Sequence, residues 1–252
     1  MPDPPPVPTK YGLLLYPGFE VLDVFGPIEA LNVISRKEFE WIGPKYIPNV
    51  TLSVISSEKN LDPVSPAYKD NNGNWTVGSC IAQKIVPDHT IYDAPEDLEV
   101  LLIPGGLGSD VNDDAVEWVR KMKDKLRYLF TVCTGSDIAA RAGALCGLKA
   151  TTNKQAWGII TSKSTSAATY WVAHARWVKS SDKIWTTSGV SAGTDGFVAW
   201  IKAVYGEEVG TKACQWMEYT AVTDPDCDPF SQGLKDVPPT AHCICVNGTH
   251  GK

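Results

Sequence analysis

Apolar residues fall along this chain in short continuous runs separated by longer stretches of helical spacing. Tyr11 to Tyr16 (YGLLLY) is such a run, and it ends at Pro17-Gly18, so it predicts a buried strand meeting a turn. Val21 to Ile34 places apolar residues at helical spacing and predicts a helix broken or started near Gly26-Pro27. A β-rich stretch follows, in which Thr51 to Ser57 alternates, Asn-Asn-Gly-Asn at 71–74 marks a turn, and Val77 to Val86 is again strand-like.

The centre of the chain repeats the theme more clearly. Glu99 to Ile103 runs straight into Pro104-Gly105-Gly106, and Asp113 to Leu126 sets Ala115, Val116, Val119, Met122 and Leu126 on one helical stripe behind an Asn112/Asp113 cap. Tyr128 to Val132 is a third buried strand and stops at Cys133; Thr134 to Leu145 is small and helical, closed by Gly147. Trp171 to Lys179 and Lys183 to Ser188 predict a hairpin, and Phe197, Val198, Ile201, Val204 and Tyr205 form the stripe of a last helix stopped by Gly206. Buried strands alternating with amphipathic helices predict one α/β domain, a parallel-sheet sandwich with helices on both faces. It is expected to occupy residues 11–222, between a proline-rich leader at 1–10 and an irregular extension at 223–252.

Composition narrows the function classes. With 43 % hydrophobic and 21 % charged residues over 252 positions, the chain can bury a large core. A net charge of −6 speaks against nucleic acid as a partner, and no apolar run approaches the roughly 18 residues that span a bilayer. No basic-then-apolar leader opens the sequence, so the seven cysteines are expected to be mostly reduced and the protein cytoplasmic. Three short sequons at Asn49, Asn74 and Asn247 point the other way, and a removed signal segment would reverse the compartment.

In parallel sheets, ligands sit beyond the carboxyl ends of the strands. Three such ends are chemically unusual here and should meet: Pro17-Gly18 with Asp23 and Glu29 shortly after, Pro104-Gly105-Gly106, and Cys133-Thr134-Gly135. Cys133 stands where a strand turns directly into a helix, the arrangement of a nucleophile elbow, in which a strained turn lifts the side chain above the sheet. The positive end of the helix is expected to favour a thiolate, and the amides of Gly105 and Gly106 to bind a developing negative charge. The other cysteines read as structural: Cys80 and Cys214 in or near the core, Cys146 at a helix end, and Cys227, Cys243 and Cys245 in the tail. His242-Cys243-Ile244-Cys245 with His250 lacks a second paired-cysteine motif, so no metal is expected there. Trp41, Trp75, Trp157 and Trp216 are candidates for pocket walls.

The segments LLLYPGFEVLDVFGPIEAL, LLIPGGLG, TVCTGSDIAARAGALCGLKATTN and SGVSAGTDGFVAWI together resemble the ThiJ/PfpI superfamily, with its flavodoxin-like, class I glutamine amidotransferase-like fold. Within it, LDVFGPIE after the first strand and Cys-Thr-Gly-Ser at the elbow are most similar to isocyanide hydratase-like members. The resemblance implies Cys133 as nucleophile, Asp23 as acid/base carboxylate and Thr134 with the glycine amides as orienting groups for a small electrophile. It also implies a homodimer and no cofactor. Glu29 is an alternative partner of the thiol, because other branches place a glutamate on this helix. Thr151-Thr152-Asn153 stands where many members have a histidine, and no His-x-Glu triplet occurs, so amidotransfer and Cys-His proteolysis are not supported. His174 is taken as structural, with no orienting carboxylate evident around it. The competing readings are glyoxalase- or deglycase-like chemistry on methylglyoxal, and a non-enzymatic sensor in which Cys133 is oxidised.

Overall fold

The computed structural model describes residues 6–69, 75–77 and 83–242. Seven strands form the central sheet: β1 (Lys10–Leu15), β2 (Thr51–Ser56), β3 (His89–Thr90), β4 (Val100–Ile103), β5 (Tyr128–Thr131), β6 (Trp177–Lys179) and β7 (Ile184–Thr187). Their order is β6-β7-β5-β4-β1-β2-β3, parallel throughout except for the antiparallel edge pair β6 and β7. Leu13 to Leu15, Val100 to Ile103 and Leu129 to Phe130 are all buried, because a parallel sheet covered on both faces leaves its strands no solvent side.

Among the described residues the α-helices are α1 (Val21–Ser35), α2 (Asp113–Met122), α3 (Gly135–Arg141), α4 (Trp157–Thr161), α5 (Ser191–Tyr205) and α6 (Glu207–Trp216). Helices α1, α5 and α6 pack together, and α2 packs with α3. Gly26 lets α1 and α5 approach, since a Cβ there would collide with Thr194. The Asn112 side chain caps α2 by accepting the Ala115 N–H at 3.2 Å. Edge-to-face contacts of Trp200 with Tyr11 and Tyr128, and of Phe130 with Phe197, fill the space between α5 and the sheet.

Several expectations are corrected. Helix α1 runs unbroken through Pro27, whose missing N–H leaves the Asp23 carbonyl without its helical donor. The hairpin forms from β6 and β7 only; Trp171 belongs to a separate two-strand pair, Tyr170–Trp171 beside Lys149–Ala150. Gly206, at φ 107°, joins α5 to a further helix, α6, that the apolar pattern does not announce, because only Val209, Gly210 and Ala213 of it are buried. The 71–74 turn, Cys80, the cysteines at 243 and 245, His250, and the sequons at Asn74 and Asn247 lie outside the described residues. Asn49 is exposed in the turn before β2. Cys146 is disulfide-bonded, while Cys133, Cys214 and Cys227 are free, so Cys146 is the exception to the reduced state expected of most cysteines. Among the described residues, no helix is long and apolar enough to cross a membrane.

The segment after α6 is irregular yet firmly held. Tyr219 Oη and the Val222 N–H both donate to Asp195 Oδ1, at 2.7 and 2.9 Å, while Asp195 Oδ2 takes Arg176 Nε at 2.7 Å. The Arg176 N–H donates to the Pro225 carbonyl at 2.6 Å, and Val237 pairs with Trp171. Buried charges are tolerated here because each carboxylate oxygen of Asp195 has donors.

Candidate active site

The ends of β1, β4 and β5 converge as the strand register requires, and Asp23, Gly105 and Cys133 meet there. Cys133 has φ 57°, in the left-handed region, a conformation that costs a non-glycine residue about 1–3 kcal/mol. Its backbone is over-determined: the N–H donates to the Ser188 carbonyl at 3.0 Å, and the carbonyl accepts Ser136 Oγ and Thr152 Oγ1 at 3.0 and 3.1 Å. The side chain therefore stands above the sheet although the residue is only 5 % exposed.

Asp23, in the first turn of α1, is 3 % exposed and turned toward this cysteine. Its Oδ2 accepts the Gly105 N–H at 2.8 Å, and its Oδ1 has no hydrogen-bond partner among the described residues. Gly105 is the spacer: a Cβ there would lie 2.5 Å from Cys133 Cβ, 2.6 Å from Thr134 N and 2.8 Å from Asp23 Oδ2. Burial, reinforced by the charge of Glu20 and opposed by the Gly105 N–H, pushes the Asp23 carboxyl up to about 7.

Burial also pushes the Cys133 thiol well above its ordinary value, helped by the neighbouring Asp23 charge. The Thr134 N–H, the Asn153 amide and the Val190 N–H pull in the opposite direction without overcoming it. This corrects the expectation of a resting thiolate: the positive helix end is present, but desolvation outweighs it. The glycine amides are corrected as well. The Gly105 N–H is taken by Asp23, and the Gly106 N–H by Thr134 Oγ1 at 2.9 Å, the same hydroxyl donating back to the Gly106 carbonyl at 2.9 Å. The donors that face the sulfur come instead from Thr134, Val190 and Asn153.

Asn153 and Val190 carry parts of the site that pattern reading missed. Asn153 Nδ2 donates to Cys133 Sγ at 3.1 Å, and its orientation is fixed because Oδ1 accepts the Ala156 N–H at 2.9 Å. Gly189 makes room for it, as a Cβ there would approach Asn153 Nδ2 to 2.5 Å. Val190 sits at φ 45° just before α5, a strained conformation for a β-branched residue, and this aims its N–H at Asp23 and Cys133. The only sequence signals were the Thr-Thr-Asn departure and the Ser-Gly-Val-Ser-Ala-Gly segment.

Glu29 is not brought to the thiol. Six residues beyond Asp23 it is turned roughly 120° round the helix, where it bonds Arg36 at 3.0 Å and Asn32 at 3.3 Å. His174 is also remote, 57 % exposed, and contrary to expectation it has carboxylates beside it, Asp226 at 3.6 Å and Asp236 at 3.9 Å. A cavity of about 620 Å³ opens over Cys133 and Thr134, walled by Phe19, Val21, Pro66, Leu107 and Ile159, with Glu20, Gln83, Asn153 and Gln155 among its polar groups. Trp41, Trp157 and Trp216 are not among its walls.

A mostly parallel sheet with a strained cysteine elbow at its carboxyl edge defines an α/β protein of the flavodoxin-like, class I glutamine amidotransferase-like fold. The profile of the DJ-1/PfpI family matches residues 10–203, and the chain belongs to that family. It is 25 % identical to the isonitrile hydratase of Pseudomonas putida over 235 residues, covering 92 % of this chain and 86 % of the relative. A crystal structure of a ThiJ/PfpI family protein from Pseudomonas syringae superposes with a TM-score of 0.62 at 27 % identity, covering 92 % of this chain and 85 % of that one. An AraC family transcriptional regulator from Pseudomonas putida shares the fold at 13 % identity, with a TM-score of 0.64 over 83 % of this chain and all of the other.

Proposed function

We propose that the protein is a cysteine-dependent hydratase of small electrophiles and that it converts isocyanides to N-substituted formamides. The observation that carries this reading is the pairing of Asp23, with its carboxyl raised to about 7, and a buried Cys133 thiol at the floor of an apolar cavity. The similarity to an isonitrile hydratase supports the substrate class.

Above about pH 7 the pair holds one proton, on the thiol, with Asp23 ionised. As the isocyanide enters, the thiol proton passes to Asp23, the sulfur bonds to the terminal carbon, and Asp23 returns the proton to that same carbon. Nothing is lost or gained: R–N≡C plus Cys–SH gives the thioimidate R–N=CH–S–Cys. Water then adds to the imidate carbon, nitrogen takes a proton, and the C–S bond breaks to give R–NH–CHO and the free thiol. The Thr134 and Val190 N–H groups and the Asn153 amide stabilise the sulfur as its charge develops, and they are fixed before substrate arrives. A neutral, linear C≡N group suits a cavity with Phe19, Pro66, Leu107 and Ile159 on its walls.

The other readings fit less well. Chemistry on methylglyoxal that leans on a histidine beside the cysteine finds Asn153 there instead. An oxidation sensor needs a standing thiolate, and burial opposes one at Cys133. Exposed Leu22 and Phe25 on α1 favour the homodimer that the family resemblance implies. The test is to incubate the protein in parallel with alkyl and aryl isocyanides and with methylglyoxal, following formamide and lactate by proton NMR. Formamide from isocyanides, without lactate, is expected; lactate formation with no formamide from any isocyanide refutes the assignment.

A further inference from the structure

A second, smaller recess of about 240 Å³ is lined by Asn153, the residue whose Nδ2 donates to the sulfur. It shares Asn153, Gln155 and Val190 with the main cavity, and its outer wall is Phe230. Phe230 belongs to the irregular segment after α6, beyond the residues 10–203 matched by the family profile.

The backbone of this segment is held in place. The Phe230 N–H donates to Asp228 Oδ1 at 3.0 Å, and Ser231 Oγ donates to the Asp228 carbonyl at 2.7 Å. Asp228 is itself buried: its N–H donates to the His174 carbonyl at 3.2 Å, and its Oδ2 faces Lys154 Nζ at 3.7 Å. Lys154 is pinned by Thr151 Oγ1 at 2.6 Å and the Ala175 carbonyl at 2.8 Å, and follows Asn153 directly in the chain. The Lys154–Asp228 ion pair thus links the segment that carries Phe230 to the residue next to Asn153. With its backbone anchored in this way, Phe230 is 63 % exposed.

We infer that Phe230 forms the wall of an aryl subsite, in which the flat N-substituent of the substrate passes Asn153 and stacks on the Phe230 ring. The volume suffices, since an apolar cavity of about 150 Å³ already takes benzene. Gln155, at the junction of the two spaces, is placed to meet a polar group between the ring and the reacting carbon. The inference rests on the hydratase reading only for the chemistry of the ligand.

Binding of product-class probes separates the two ideas without requiring turnover. N-phenylformamide and N-methylformamide are titrated against the full chain and the Phe230→Ala and Phe230→Leu variants, by calorimetry or ligand-observed NMR, with a thermal melt to confirm folding. N-phenylformamide is expected to bind roughly tenfold more weakly to F230A and detectably more weakly to F230L, with N-methylformamide unchanged. An equal effect on both probes, or none on either, overturns the subsite. Phe230-dependent aryl binding in a protein that hydrates no isocyanide would sustain the subsite and remove the hydratase reading.

Discussion

Replacing Cys133 with alanine or serine is expected to lower kcat/KM for isocyanides by ~10⁴-fold or more, about 5.5 kcal/mol of transition-state stabilisation, with the fold intact. The size follows from the route: without a sulfur to form the thioimidate, water must attack the isocyanide directly. Serine keeps the shape and the backbone contacts of the elbow, but its hydroxyl is a far weaker nucleophile in a site where even the thiol is held protonated by burial. The strain at φ 57° is set by the Ser188, Ser136 and Thr152 contacts to the backbone, so neither variant has reason to unfold. Steady-state kinetics with a circular-dichroism melt checks both halves. Activity within tenfold of the parent would remove Cys133 from the reaction.

Asp23→Asn is expected to cost 10²–10⁴-fold in kcat, the usual worth of a positioned proton carrier. Asparagine can still accept the Gly105 N–H, so the loss isolates the proton rather than the geometry. The pH dependence supplies a sharper signature. The pair reacts with one proton on it, so activity of the parent should fall as pH drops through about 7, where Asp23 becomes protonated while the thiol keeps its own proton. D23N should lack that acid limb. Stability moves the other way: the folded state holds the Asp23 proton up to about 7 and the unfolded chain releases it near 4. Stability from this group is therefore complete below about pH 4 and is lost as pH rises to about 7, a change on the order of 4 kcal/mol. Urea titrations at pH 5 and pH 8 should show the parent weakening with pH more than D23N does. A variant with the parent's acid limb would place the titration elsewhere.

The meeting of the three strand ends was legible because short apolar runs ending in Pro-Gly, Pro-Gly-Gly and Cys-Thr-Gly leave little freedom in where a parallel sheet puts its carboxyl edge. Cys133 followed from that topology, while the choice of Asp23 over Glu29 came from the family resemblance. What stayed hidden depended on packing rather than on spacing. The sign of the Cys133 shift is a contest between burial and three N–H donors, and burial is a property of the closed fold. Asn153 looked like a missing histidine; only its fixed amide, with Oδ1 committed to Ala156, makes it a donor to sulfur. Glu29 was eliminated by helical phase, which the sequence did contain: six residues from Asp23 is the wrong face. The segment after α6 has no periodicity to read, and its order comes from the buried Asp195 and Asp228 that receive it.

Mass spectrometry of the protein quenched within milliseconds of mixing with excess isocyanide decides whether Cys133 forms the thioimidate. A covalent adduct heavier by the mass of the isocyanide, located on the tryptic peptide Tyr128–Arg141 and absent from the Cys133→Ser variant, is the predicted result. Formamide accumulating with no adduct on that peptide at any time, and with C133S as active as the parent, would contradict it.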